Sequence, residues 1–171
     1  MRRRRLSALT TGLTFVLLLV GVYTKEVGAD LSCGMNWPLC DGAVFGLFPA
    51  NVPSAIEWFH RFLALVVGVL IVLTVYRYYR AHGPGSRVTQ AGAIALLMLP
   101  VQAGLGALTV LKAQLFAGDL RIFLEPLISV AHYGTGVLLF TSLVAATLWA
   151  FEDGTDGPTP STAADPTSAD D

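Results

Sequence analysis

Apolar residues in this chain do not alternate with polar ones; they run together in four long blocks, at about residues 6–23, 56–79, 88–111 and 126–151. The segments between them gather the charges, glycines and prolines. A half-buried strand would show period-two alternation, so continuous runs of this length predict helices. A bilayer core of about 30 Å needs about 20 mostly apolar residues as a helix. The second block lacks charge between Arg61 and Arg77, and the third and fourth contain none. The expectation is an all-α integral membrane four-helix bundle over residues 6–151, preceded by a basic N-terminus at residues 1–5. Residues 152–171 are acidic and rich in Thr, Ser, Ala and Pro; they cannot bury a core and are expected to be disordered.

The first block admits a second reading as a secretory signal peptide, with a basic start, an apolar stretch and Val27-Gly28-Ala29 as a small-residue cleavage site. The stretch is long for a signal, and the cut would fall beyond Lys25 and Glu26. A retained span is therefore the expectation.

Of the 171 residues, 54% are hydrophobic and 13% charged, against about 25% charged in an average soluble domain. The net charge of −1 hides a split. Residues 1–87 hold nine Lys/Arg and four acids, a net +5; residues 88–171 hold two and eight, a net −6. Basic residues set membrane orientation and acidic ones contribute little. Placing Arg2–Arg5 and the cluster Arg77, Arg80 and Arg87 on the cytoplasmic side puts both termini inside a plasma membrane. A large loop, residues 24–55, and a short one, residues 112–125, then face outward. Lipid is an expected partner; nucleic acid is not, because no basic patch interleaves with aromatics. Two cysteines exclude a disulfide-built scaffold and a four-cysteine metal site within the chain. Both, Cys33 and Cys40, lie in the large outer loop, where an oxidising side favours a disulfide; two free thiols are the alternative.

Ionisable side chains inside membrane spans are costly and mark function by default. Glu57, His60 and Arg61 open the second block in the run EWFHR, His132 lies one to two turns into the fourth, and Gln102 follows Pro100 in the third. His82 falls in an inner connection and is expected to be solvated. At about 1.5 Å per residue, His60 and His132 differ by only a few ångströms in depth. Neighbouring parallel helices would then present both imidazoles to one ligand. Ala64 and Gly68 follow His60, and Gly134 and Gly136 follow His132, leaving room for a flat macrocycle, although membrane seams are rich in small residues in any case. Haem fits this pattern better than zinc, which would want further ligands. Glu57 either serves the ligand or forms an i,i+4 ion pair with Arg61. Arg61 in turn suits haem propionates, as a guanidinium suits carboxylates. Gln102 either hydrogen-bonds within the bundle or fills a kink at Pro100. Tyr76, Tyr78 and Tyr79 read as interface anchors.

At these residues the chain resembles the haem A synthase family, over about residues 21–149. The loop TKEVGADLSCGMNWPLCDG is similar to the family's outer-loop run ending in Trp-Pro-Leu-Cys. EWFHR resembles its Glu-x-x-His-Arg signature, QAGLGALTV resembles its Gln-x-x-Leu-Gly-x-x-Thr-Val pattern, and the fourth block carries a lone histidine, His132. The resemblance implies a membrane enzyme that oxidises haem O to haem A for terminal oxidases, hydroxylating a ring methyl twice before the diol loses water. It implies His60 and His132 as axial ligands of haem iron, Glu57 as the catalytic carboxylate, and Cys33–Cys40 as a disulfide near the haem mouth. Haem b, substrate haem O or both would be bound, and haem O synthase and the terminal oxidase are implied partners. Lys25 stands where the family has Arg, and Asn36 where Asp is common. The usual member has eight spans in two similar halves. This chain resembles one half, as in the compact archaeal form, which implies a homo-oligomer.

Other classes compete. A membrane cytochrome b that only passes electrons explains both histidines but needs neither Glu57 nor the cysteine pair. A haem-handling oxidase assembly factor without catalysis accounts for the same residues as the enzyme. A quinone-coupled thiol oxidase would want a Cys-x-x-Cys pair and further cysteines.

Overall fold

A computed structural model describes residues 2–35, 37, 39–40, 49 and 51–153. Asn36 and Pro38 of the loop motif, and the tail from residue 154, lie outside the described residues. The helices are α1 (Arg2–Glu26), α2 (Val52–His82), α3 (Arg87–Leu115) and α4 (Gly118–Glu152). All four are long and apolar enough to cross a bilayer, and the protein is a multi-pass, all-α membrane bundle.

Local chemistry sets the helix ends. Asn51 caps α2, its side chain accepting from the Ser54 N–H at 2.9 Å, and Pro53 occupies the first turn, where an N–H is not needed. α2 stops at Gly83, whose φ of 75° suits glycine alone, ahead of Pro84. Ser86 then caps α3 through the Thr89 N–H at 3.2 Å. His82, expected in solvent, is half-buried with Nδ1 3.3 Å from the Tyr78 carbonyl.

The expected short loop over residues 112–125 is corrected. α3 runs on to Leu115, Phe116 and Ala117 make the turn, and α4 starts at Gly118. The reason is electrostatic. Lys112, buried on α3, reaches Glu125 of α4 at 2.5 Å, so the charges that end the apolar blocks tie two helices together. α4 therefore runs for 35 residues, about 52 Å at 1.5 Å per residue, with Pro126 in its interior. At its far end Glu152 and Asp153 pair with Arg87 of α3 at 3.1 and 2.9 Å, so the first acids of the expected tail are held by the bundle. The basic N-terminus is likewise helical from Arg2, and Arg4 lies 5.6 Å over the Phe151 ring.

Around the bundle the order is α1, α2, α3, α4, with α4 closing on α1; α1/α3 and α2/α4 are the diagonals. Leu63, Val67, Ile71 and Val75 of α2 meet Ala95 of α3 and Leu139 and Leu143 of α4 in the main apolar core. α1 packs Leu13, Leu17 and Val20 against this core and adds hydroxyls. Ser7, Thr10 and Thr14 are buried on one face, Thr10 pairs with Thr74 of α2, and Thr11 pairs with Thr147 of α4, both at 2.9 Å. Lipid offers no hydrophobic drive for helix association, and such contacts supply part of what replaces it. Of the three tyrosines read as anchors, Tyr76 and Tyr79 are exposed, but Tyr78 is buried. It lies four residues after Thr74 on the inward face, against Gly92 of α3.

Candidate functional site

The α1–α2 connection folds back over the start of α2. Gly28 and Gly34, with φ of 66° and 69°, turn it, and a Cys33–Cys40 disulfide closes it. Among the described residues, three hydrogen bonds fasten it to α2. Ser54 Oγ donates to the Ser32 carbonyl at 2.7 Å, the Cys33 N–H donates to Glu57 Oε2 at 2.7 Å, and Arg61 Nη1 donates to the Leu39 carbonyl at 2.5 Å. Glu57 is only 3% exposed. Its other oxygen, Oε1, pairs with Arg61 one turn further along. The i,i+4 ion pair is therefore present. The amide and the guanidinium together offset the desolvation of this carboxylate. Arg61, expected at haem propionates, is turned toward Glu57 and the loop.

His60 follows Glu57 by three residues on α2, whereas His132 sits on the diagonal helix α4. The expectation of neighbouring helices is corrected, because α1 and α3 each stand between them. Diagonal helices meet only through the interior, so side chains that interact from them do so across it. Each histidine is half-buried, and each has its Nδ1 buried without a hydrogen-bond partner.

Glycines on the other two helices lie against these rings. A Cβ on Gly21 of α1 would stand 3.0 Å from His60 Cε1, and one on Gly106 of α3 would stand 3.3 Å from His132 Cε1. The small residues expected to leave room for a macrocycle serve differently. A Cβ on Gly136 would meet Gln102 Nε2 and Leu18 at 3.0 Å, and one on Gly68 would meet Leu99 at 3.7 Å, so both glycines are used for helix packing. Gly134 is exposed, with nothing within 4 Å of its Cβ position. Gln102 takes the hydrogen-bonding role: Thr135 Oγ1 donates to its Oε1 at 2.6 Å, one turn along α4 from His132.

These residues fit a haem. Each ring keeps a buried nitrogen, Nδ1, that no protein group satisfies, and a neutral imidazole can ligate a metal through a ring nitrogen. Among the described residues no group of three or more His, Cys, Asp or Glu is placed to hold a bare metal ion. Two imidazoles alone suit an iron that brings its own equatorial ligands. Sequence reasoning missed Gly21, Gly106 and the Lys112–Glu125 pair. The Leu-Gly step inside QAGLGALTV was the available signal for Gly106.

A family model described as COX15-CtaA, cytochrome oxidase assembly protein, matches residues 4–169. The chain belongs to this family. It is similar to the haem A synthase of Shouchella clausii, 33% identical over 88% of this chain and 46% of that protein. It is also similar to the haem A synthase of Bacillus licheniformis, 30% identical over 86% of this chain and 45% of that one. A protoheme IX farnesyltransferase of Haloarcula marismortui is 33% identical over 85% of this chain and 28% of its own length. The chain thus spans less than half the length of the curated relatives it matches. No solved structure matches. In this member of the cytochrome oxidase assembly family, Lys25 contacts Asp30 at 2.9 Å across the turn at Gly28. An ammonium makes that contact as a point charge, without the bidentate reach of arginine.

Proposed function

We propose that this chain is a haem A synthase-like membrane oxidoreductase. It would convert a ring methyl of haem O to the formyl group of haem A by two hydroxylations and loss of water, in terminal-oxidase biogenesis. The observation that carries the reading is the pair of half-buried imidazoles on diagonal helices, each with a sealed and unpartnered Nδ1, beside a buried carboxylate. The relatives named haem A synthase support the reaction class. Those named protoheme IX farnesyltransferase support a farnesylated haem as the substrate, with farnesyl transfer as the supplying reaction.

His60 and His132 would hold the haem iron. A bound haem supplies the iron-centred redox chemistry. Glu57, one turn outward of His60, would counter positive charge or take a proton at the methyl being oxidised. Arg61 would keep Glu57 in place and face the haem propionates. The disulfide loop would cover the mouth on the outer side of the plasma membrane, with both termini in the cytoplasm, as the basic residues direct. Identical chains would assemble to supply the length that the longer relatives carry in one chain.

One observation favours a second reading. Both Glu57 oxygens are engaged, by the Cys33 N–H and by Arg61, which suits a structural carboxylate in an electron-carrying cytochrome b or a non-catalytic assembly factor. Expression in a host that makes haem O but lacks haem A separates the two. Extracted haems are identified by chromatography and mass. Haem A with the wild type, and bound haem O without haem A in Glu57→Gln, supports the enzyme. A haem-loaded wild type that yields no haem A leaves the carrier reading.

A further inference from the structure

Metal-bound histidines almost always donate their second ring N–H to a carboxylate, a carbonyl or a water, and that bond fixes the ring's orientation. His60 and His132 have no such partner at Nδ1. What each ring does have is a glycine on the adjacent odd-numbered helix: Gly21 of α1 for His60 and Gly106 of α3 for His132. Around Gly21 all three nearest atoms belong to the imidazole, with Cε1, Nδ1 and Nε2 at 3.0, 3.6 and 3.7 Å from a Cβ built there. Around Gly106 the same three atoms lie at 3.3, 3.9 and 4.0 Å. Carbon atoms rest about 3.5–4.0 Å apart, so a methyl group at either position would push the ring aside. The arrangement repeats in both helix pairs although the two glycine–histidine spacings along the chain differ, so the contact is a feature of each pair.

We infer that Gly21 and Gly106 are positioning residues that set the orientation of the His60 and His132 rings by direct contact. The backbone of the odd helix is a flat rest, and the ring of the even helix lies on it. Glycine disfavours a helix relative to alanine, so an alanine variant gains helix propensity and any loss it causes comes from the ring. Gly104 of α3 and Gly134 of α4 provide matched controls, because a Cβ at either meets nothing within 4 Å.

The inference rests on the haem-binding reading above, and one experiment separates the two. Full-length protein is purified in detergent and loaded with haem b. The ferric optical and electron paramagnetic resonance spectra are recorded, and haem loss to excess apomyoglobin is timed. Gly21→Ala and Gly106→Ala are expected to lose the low-spin bis-imidazole signature and release haem about tenfold faster or more, with Gly21→Ala the stronger because its contact is closer. Gly104→Ala and Gly134→Ala are expected to match the wild type. A haem-loaded wild type whose Gly21 and Gly106 variants behave as those controls overturns this inference alone. A wild-type chain that takes up no haem overturns the binding reading, and this inference with it. The two glycines report on different rings, so a variant that fails to accumulate leaves the other to decide.

Discussion

Glu57 Oε2 accepts the backbone N–H of Cys33 at 2.7 Å, which makes one buried carboxylate both the neighbour of His60 and the anchor of the disulfide loop. Replacing it therefore has two effects. Glu57→Ala removes the carboxylate from Arg61, which keeps the Leu39 carbonyl, and leaves the Cys33 amide without its acceptor; it should cost about 3 kcal/mol, as breaking a buried pair does. Glu57→Gln keeps an acceptor for the amide and should cost less. Thermal unfolding of both variants in detergent checks the order. Glu57→Ala as stable as wild type would remove the anchoring role.

The Lys112–Glu125 pair should respond asymmetrically. Lys112 is 2% exposed, whereas the Glu125 side chain is 36% exposed. Glu125→Gln leaves a buried ammonium without its counter-charge and should cost about 3 kcal/mol. Lys112→Met leaves a carboxylate that water can reach and should cost under about 1 kcal/mol. Equal losses in thermal unfolding would mean that burial of the lysine is not what sets the cost.

Reduction of Cys33–Cys40, or Cys33→Ser with Cys40→Ser, opens a short loop with a sequence separation of 7. Loop-closure entropy puts the loss at about 2 kcal/mol. The loss should be local, because Ser54 and Glu57 still hold the Ser32–Cys33 backbone. Proteolysis within residues 27–51 should accelerate on reduction while helical circular dichroism stays constant. A fall in helical signal would show that the loop holds the bundle together.

Thr10 joins α1 to α2 through Thr74, and its hydroxyl also lies 2.9 Å from the Leu6 carbonyl. Interhelical hydrogen bonds in membranes are worth about 0.6 kcal/mol on average. Thr10→Val should lower stability by about that amount, and Thr10→Val with Thr74→Val by little more, since both remove one contact. Additive losses in unfolding measurements would count against the pairing.

The four helices are legible in the sequence because lipid imposes long continuous apolar runs, and these are hard to mistake. Their ends are less so. A charge such as Lys112 looks like a loop when read alone, and becomes part of a helix only once Glu125 lies opposite it. His60, His132 and Glu57 stand out as polar residues in apolar blocks, and their helices could be assigned from order alone. Which helices are diagonal could not, because four similar spans can be arranged in several ways. The glycines under the rings were the least visible. Gly21 and Gly106 differ from Gly68, Gly134 and Gly136 only in what faces them, and that depends on the neighbouring helix.

α3 and α4, joined by Phe116 and Ala117, make one tight hairpin; α1 and α2, joined by the disulfide loop, make the other. His132 belongs to the first and His60 to the second. Anything gripped by both rings is then a further tie between two halves already joined by the apolar core and the Thr11–Thr147 pair. Its arrival would stiffen the whole bundle and its departure would slacken it, because a ligand that binds only the closed form adds its binding energy to folding. The melting temperature of this protein would serve as a gauge of how full its centre is.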